Sequence, residues 1–355
     1  MQKKIAALCF IVVLGISSAF CAGAEDQWVT FKGGQGAGSG KNIVLIAGDE
    51  EYRSEEGLPM MAKILATHHG FNCTVLFSLN GKGEIDPNAA GNIPGLEALD
   101  NADLMIILTR FRHLPDADMK HFDDFLKAGK PVIGLRTATH AFTGMKGEYE
   151  KYNNGYKGTE KEWQDGFGRL ILGEKWISHH GGHKSESARG MFIPDVKSEL
   201  LNGIKDGEIW GSSDVYGVRL PMLESCKPIL LGAVCKRAGD AVPMDKDIDF
   251  GMKPTDAILP ADEDKNKKNS PMMPIAWTKD YKLPDGKQGH SFTTTMGASA
   301  DLNNEALRRL LINATYQLLA LPVPEKANAT IVGEYHPRAY SNGNFNKGVK
   351  PSDIK

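Results

Sequence analysis

The stretch NIVLIAGDEEYRSEEGLPMMAKIL, residues 42–65, decides the fold. Residues 42–47 are a nearly unbroken apolar run, as expected of a strand buried on both faces. Ser54 then reads as a helix N-cap, with Glu55 and Glu56 in the first turn, where the helix dipole favours anions. Leu58, Met61, Ala62, Leu65 and Ala66 recur at helical spacing, and Gly70 supplies the stop. A buried strand feeding an amphipathic helix is the repeating unit of a parallel sheet.

Working outward, residues 71–77, 104–108 and 131–135 read as three more buried strands. A helix opens at Pro115-Asp116 and stops at Gly129. Four strands separated by crossovers predict an α/β fold with a flavodoxin-like, doubly wound, mostly parallel sheet. The second half is less regular. Leu170 to Leu172 is expected to close a helix, and 229–234 reads as a strand. Residues 274–279 and 291–296 flank a turn at Pro284-Asp285-Gly286, an antiparallel extension of the sheet. Leu307, Leu310, Leu311, Ala314 and Leu318 mark a closing helix, and 239–272 reads as a polar surface loop. Beyond Leu321 the chain is expected to wrap the surface or hang free.

The N-terminus reads as an address. Lys3 and Lys4 precede an apolar run, 5–20, and Ala22-Gly23-Ala24 offers a cleavage site. The expected organisation is a signal peptide (1–24), a flexible Gly-rich lead-in (25–40), one α/β domain (41–321) and a C-terminal tail (322–355). This predicts an exported protein, periplasmic or extracellular, with no membrane span once the signal is removed. Of the remaining cysteines, Cys73, Cys226 and Cys235, the last two are candidates for a disulfide, with three buried thiols as the alternative.

Composition narrows the function classes. The 355 residues carry 42 Lys+Arg against 44 Asp+Glu, a net charge of -2. With a pI near 6.6 there is no basic footprint for nucleic acid. A mean hydropathy of -0.31 excludes a polytopic membrane protein, and 41% hydrophobic residues suffice for a buried core. The expected partner is a small molecule, and a homo-oligomer remains an open alternative.

Ligands of an open parallel sheet bind beyond the carboxyl ends of its strands. Three such ends are crowded with polar and ionisable residues: Asp49, Glu50, Glu51, Tyr52 and Arg53; Thr109, Arg110, Arg112 and His113, around Phe111; Arg136, Thr137, Thr139 and His140. A second concentration is WISHHGGHK, 176–184, where three of the ten histidines, His179, His180 and His183, fall within five residues. Imidazoles suit acid–base work near neutral pH and also ligate metals. Metal binding, with zinc or manganese as the divalent ion, substrate or acid–base duty, and a plain surface loop stay open as readings. Asp214 and Tyr216, after Trp210, suit a hydroxyl-rich ligand, or else a structural hairpin. His68 and His69 read as solvated or capping residues at a helix end.

The segments IVLIAGDEEYRSEEGLPMMAKIL (43–65), PVIGLRTATHAF (131–142), WISHHGGHKSE (176–186), PIAWTKDYKLPDGKQGHSFTTTMG (274–297) and GVKPSD (348–353) resemble the ThuA-like (trehalose utilisation) family, in particular its exported planctomycete-type members. That family is similar in fold to the class I glutamine amidotransferases. Glutaminase chemistry does not carry over, because the turn after 131–135 holds Arg136-Thr137-Ala138-Thr139-His140 and no cysteine. The resemblance implies a role in sugar metabolism, on trehalose-like or keto-glycoside sugars. His140, His179, His180 and His183 would be the reactive set. Asp49, Glu51, Tyr52, Arg53, Arg110, Arg112, Arg136, Asp214 and Tyr216 would contact substrate. Two departures, Glu50 and Ala298 where relatives commonly carry His, leave a non-catalytic carbohydrate-binding protein as the alternative.

Overall fold

In the computed structural model, which describes residues 27–354, the chain opens with β1 (Trp28–Phe31), β2 (Asn42–Gly48), α1 (Ser54–His69) and β3 (Asn72–Phe77). It continues with β4 (Leu104–Thr109), α2 (Asp116–Lys127) and β5 (Val132–Leu135). The second half adds β6 (Glu186–Phe192), β7 (Trp210–Gly211), β8 (Cys226–Lys236), β9 (Met273–Lys282), β10 (Gln288–Thr294) and α3 (Glu305–Leu318). The signal-peptide reading of 1–24 lies outside the described residues. Among these, no helix is long and apolar enough to cross a membrane.

All ten strands form one mixed sheet in the order β1-β3-β2-β4-β5-β10-β9-β8-β6-β7. The stretch β3-β2-β4-β5-β10 is parallel throughout. The sheet becomes antiparallel from β9 to β7, and again at β1. The apolar runs account for the central strands: every residue of β4 and β5 is buried. One core layer joins α1 and α3 to the sheet through Leu58, Leu65, Leu307 and Leu310. The opposite layer joins α2 through Met119, Phe122 and Leu126.

Several expectations are corrected. The lead-in 25–40 contains β1, which pairs with β3, and Gly38 donates its N–H to the His69 carbonyl (2.9 Å). Ser54 is the first helical residue rather than the cap; Arg53 precedes it in a left-handed conformation (φ 59), and Ser54 Oγ accepts the Asp49 N–H. Gly168–Leu172 is a single π-turn. The sequence reading did not identify β6 and β7. Cys226 and Cys235 occupy opposite ends of β8, roughly 30 Å apart at the rise of a strand, so no bridge can join them. All three described thiols are free and buried. His69 is likewise not solvated: its ring is buried and bonds Tyr316 Oη (2.9 Å) and the Asn328 carbonyl (2.8 Å).

Residues 322–354 of the expected tail wrap the molecule and belong to the domain. Arg308 and Arg309 donate to the carbonyls of Ala329 and Ala327, the Arg338 N–H reaches Glu56 Oε2, and Tyr340 is fully buried.

Two stability predictions arise here. A Cβ on Gly168 would lie 2.1 Å from the Thr139 carbonyl oxygen, so the π-turn seats the turn that carries His140. Gly168→Ala is expected to cost about 1–3 kcal/mol in urea unfolding; an unchanged midpoint would show that the turn yields freely. Glu55, at the start of α1, is buried with neither carboxylate oxygen hydrogen-bonded. Burial pushes its pKa up to about 7, although Arg53 pulls it down. The folded chain therefore keeps this proton at pH values where the unfolded chain, near 4.5, has lost it. Its contribution to stability falls as pH rises from about 4.5 to about 7. Glu55→Gln is expected to raise stability at pH 8, by at most about 3 kcal/mol, and to change little at pH 4. Paired thermal melts at the two pH values check the sign.

Candidate functional site

The loop after β2 is built around Asp49. Its Oδ1 accepts the N–H groups of Glu51 (2.8 Å) and Tyr52, and its Oδ2 accepts the Thr137 hydroxyl. Asp49 is fully buried and ties two strand ends together, so it is not a substrate contact. Arg53 is also corrected: its side chain points inward, with Nη1 3.3 Å from Glu55 Oε1. Glu51 and Tyr52 face the site.

Beyond β4, Arg112 is a buried buttress and not a ligand contact. It donates to the carbonyls of Arg110 (2.7 Å) and Pro87 (2.8 Å) and to Glu50 Oε2 (3.0 Å). Glu50 Oε1 holds Arg110 Nη1 at 2.6 Å, and the Arg110 guanidinium lies over the Phe111 ring, 4.8 Å from its centroid. Glu50 thus clamps both arginines. Burial and Asp49 raise its pKa more than the arginines lower it.

After β5 the chain turns sharply, and Arg136 adopts φ 39, a conformation costly for a residue with a side chain. Its guanidinium is wholly buried between the rings of Tyr52 (4.1 Å) and Tyr216 (4.2 Å). It donates to Tyr52 Oη (3.0 Å), to the carbonyls of Asp214 (2.9 Å) and Thr295 (2.8 Å), and to Asp214 Oδ1 (2.9 Å). Every Nη contact is internal, which removes Arg136 from the substrate contacts. It serves to hold Asp214.

His140 closes the same turn. The Thr139 hydroxyl donates to the Arg136 carbonyl (3.2 Å), so it accepts from His140 Nδ1, also 3.2 Å away. His140 Nε2 is then left bare. Burial, with Arg110, Arg136 and His179 nearby, holds this imidazole well below its usual pKa, so it is a neutral base.

The histidine loop is not helical. His179 bridges to Tyr216, and the N–H groups of His180 and Gly181 bond the Val215 carbonyl (2.8 and 3.0 Å). This pairing delivers His179 and His183 to one carboxylate. His179 Nδ1 lies 2.7 Å from Asp214 Oδ2, and His183 Nδ1 lies 3.2 Å from Oδ1. His183 Nε2 also reaches Glu51 Oε1 at 3.1 Å. Burial lowers the His183 pKa, but the bonds to Asp214 and Glu51 outweigh it and leave it raised. Burial works against Asp214 as a charge, yet Arg136 and the two histidines hold its carboxyl far below the usual range. His180 is corrected: it turns away and its Nε2 bonds the Lys268 carbonyl (2.8 Å).

Glu51, Tyr52, Arg110, Phe111, His140, Trp176, His179 and Tyr216 line a cleft of about 30 Å³, room for a water or one small functional group. Trp176 and Phe111 flank His140 at 5.4 and 5.1 Å between ring centroids. Sequence reasoning gave neither a role, although both lie in segments it singled out. It also missed Tyr340, which stacks on Tyr52 at 5.2 Å and stands 5.6 Å from His183. No motif marks that residue. Ala298 is buried in the same aromatic cluster, with Tyr52, Trp210 and Tyr340.

No protein-family model and no curated protein matches the chain. Among solved structures, a protein described as ThuA-like from Bacteroides uniformis is similar at 11% identity and a TM-score of 0.43, covering 80% of this chain and 94% of that one. Another so described, from Parabacteroides merdae, is similar at 11% identity and a TM-score of 0.41, covering 85% and 98%.

Proposed function

We propose that the chain is an exported ThuA-like protein of carbohydrate metabolism that acts on a trehalose-like or keto-glycoside sugar by histidine acid–base chemistry. The finer fold reading is flavodoxin-like, akin to the class I glutamine amidotransferases without their activity. It is supported by the parallel strands running second-first-third-fourth-fifth in chain order. The family reading rests on the sequence motifs, and export on the N-terminal pattern.

One observation carries the chemistry: the bare Nε2 of neutral His140 and the Asp214-backed His179 border the same aromatic cleft. A keto sugar has an acidified C–H beside its carbonyl. In this hypothesis His140 removes that proton, the C–H electron pair moves into the carbonyl as an enolate, and Arg110 at the cleft stabilises the oxyanion. His179, its Nδ1–H fixed by Asp214, is placed to exchange a proton with the substrate through Nε2. Return of the proton gives exchange or isomerisation; loss of the glycosidic substituent gives elimination. Trp176 and Phe111 suit the apolar C–H face of a sugar ring.

The test is incubation of a keto-glycoside panel in D2O, followed by NMR. Deuterium incorporation beside the carbonyl is the expected result. A second reading, a carbohydrate-binding protein without turnover, is favoured by the narrow cleft and by Glu50 neutralising Arg110. Saturable sugar binding with no exchange on any member of the panel would select it.

A further inference from the structure

We propose that His179, His183 and Asp214 form a binding site for one divalent first-row transition metal ion, zinc being the simplest occupant. The proposal deepens the reading above and rests on its placing the chemistry beside His179; the ion would take the place of the Nδ1 proton that Asp214 holds when no metal is bound. Among the described residues these three form a group whose donor atoms lie within 4.8 Å of one another. Both Nδ1 atoms face the same carboxylate, at 2.7 and 3.2 Å. Neighbouring donors around an ion with bonds near 2.0–2.1 Å stand roughly 3 Å apart, so these two spacings are already close to coordination edges.

The surroundings have the form of a metal site's outer layer. A metal-bound imidazole usually gives its other nitrogen to a carboxylate, which fixes the ring. His183 does this: its Nε2 meets Glu51 Oε1 at 3.1 Å while Nδ1 faces Asp214. Asp214 is itself held, since Arg136 donates to Oδ1 at 2.9 Å and also to the Asp214 carbonyl at 2.9 Å. Asp214 is fully buried, whereas His179 lies partly open on the cleft. Two imidazoles and one carboxylate leave coordination positions free, which is the pattern of a reactive centre and not of a closed structural one. The water-sized cleft adjoins the exposed member of the set. His180, adjacent in sequence, is excluded because its ring bonds the Lys268 carbonyl.

The experiment loads the full mature chain with zinc, and separately with manganese, and measures bound metal by elemental analysis after exhaustive dialysis, alongside thermal melts. About one ion per chain and a raised melting temperature are expected. His179→Gln and His183→Gln should lose the ion, and His180→Ala should keep it. Glu51→Gln should weaken binding roughly 10- to 100-fold, the usual effect of removing a carboxylate that orients a metal-bound imidazole. Circular dichroism of each variant separates loss of the ion from loss of the fold. The proposal is overturned if neither metal binds stoichiometrically, or if folded His179→Gln and His183→Gln chains retain it. Deuterium exchange without stoichiometric binding of either metal would overturn the metal site and leave the acid–base reading standing. Metal binding without any exchange would do the reverse.

Discussion

Asp214→Asn will destabilise the protein by about 3–5 kcal/mol, the range expected when one partner of a buried ion pair is removed. Arg136 then keeps its full charge, with no exposed surface, between two tyrosine rings. Of the two oxygens that face His179 and His183, one becomes an NH2 donor at the same time. Urea unfolding near pH 7 measures the effect. The double replacement Asp214→Asn, Arg136→Met should cost much less than the sum of the two singles, because it removes the stranded charge. A shift under about 1 kcal/mol for Asp214→Asn would mean that Arg136 finds other compensation. The pH dependence has a definite sign. A carboxylate whose pKa is depressed on folding contributes stability above its unfolded value, 3.8, which is lost as pH falls through the folded value.

His140→Ala will lower the rate of deuterium exchange on a responsive keto-glycoside roughly 10²- to 10⁴-fold, the usual contribution of a positioned base. His179→Ala should fall in the same range, whereas His180→Ala should match the parent. Sugar affinity should change far less than rate, because His140 offers one nitrogen and little surface. A depressed His140 pKa also predicts that the rate does not fall through the ordinary imidazole range near pH 6.5 on that residue's account. If His140→Ala exchanges at the parental rate, the base lies elsewhere.

Much of the scaffold was legible in the chain. Doubly buried strands advertise themselves as apolar runs, so β2, β3, β4 and β5 and the hairpin β9–β10 stand close to where the pattern places them. Strands at or next to an edge carry no such mark. The β1 sequence, WVTF, is short and runs into Gly33 and Gly34, and β6 mixes Glu186, Arg189 and Gly190 among its apolar residues. At the site, the strand-end rule gathered the right neighbourhood but not the roles. Asp49, Arg53, Arg112 and Arg136 looked like ligand contacts because charged residues beyond a strand usually meet solvent. Each is instead consumed by main-chain carbonyls, N–H groups or an internal counter-ion. Adjacency likewise misled at His180: in a loop paired to a second strand segment, neighbouring side chains diverge, so His179 and His183 converge without it.

The wrapping of 322–354 has a consequence for how the molecule is made. Tyr340 reaches Tyr52 and His183, and Val349 accepts the Ile85 N–H, so late-synthesised residues fasten to elements made near the start. Contacts between segments so distant along the chain form slowly and late in folding. A chain stopped shortly after α3 would carry every histidine of the cleft and yet lack the aromatic wall against which His183 rests. Ligand competence is thereby a check on synthesis past that point: only a polypeptide that has grown beyond Tyr340 and wrapped presents this wall of the pocket.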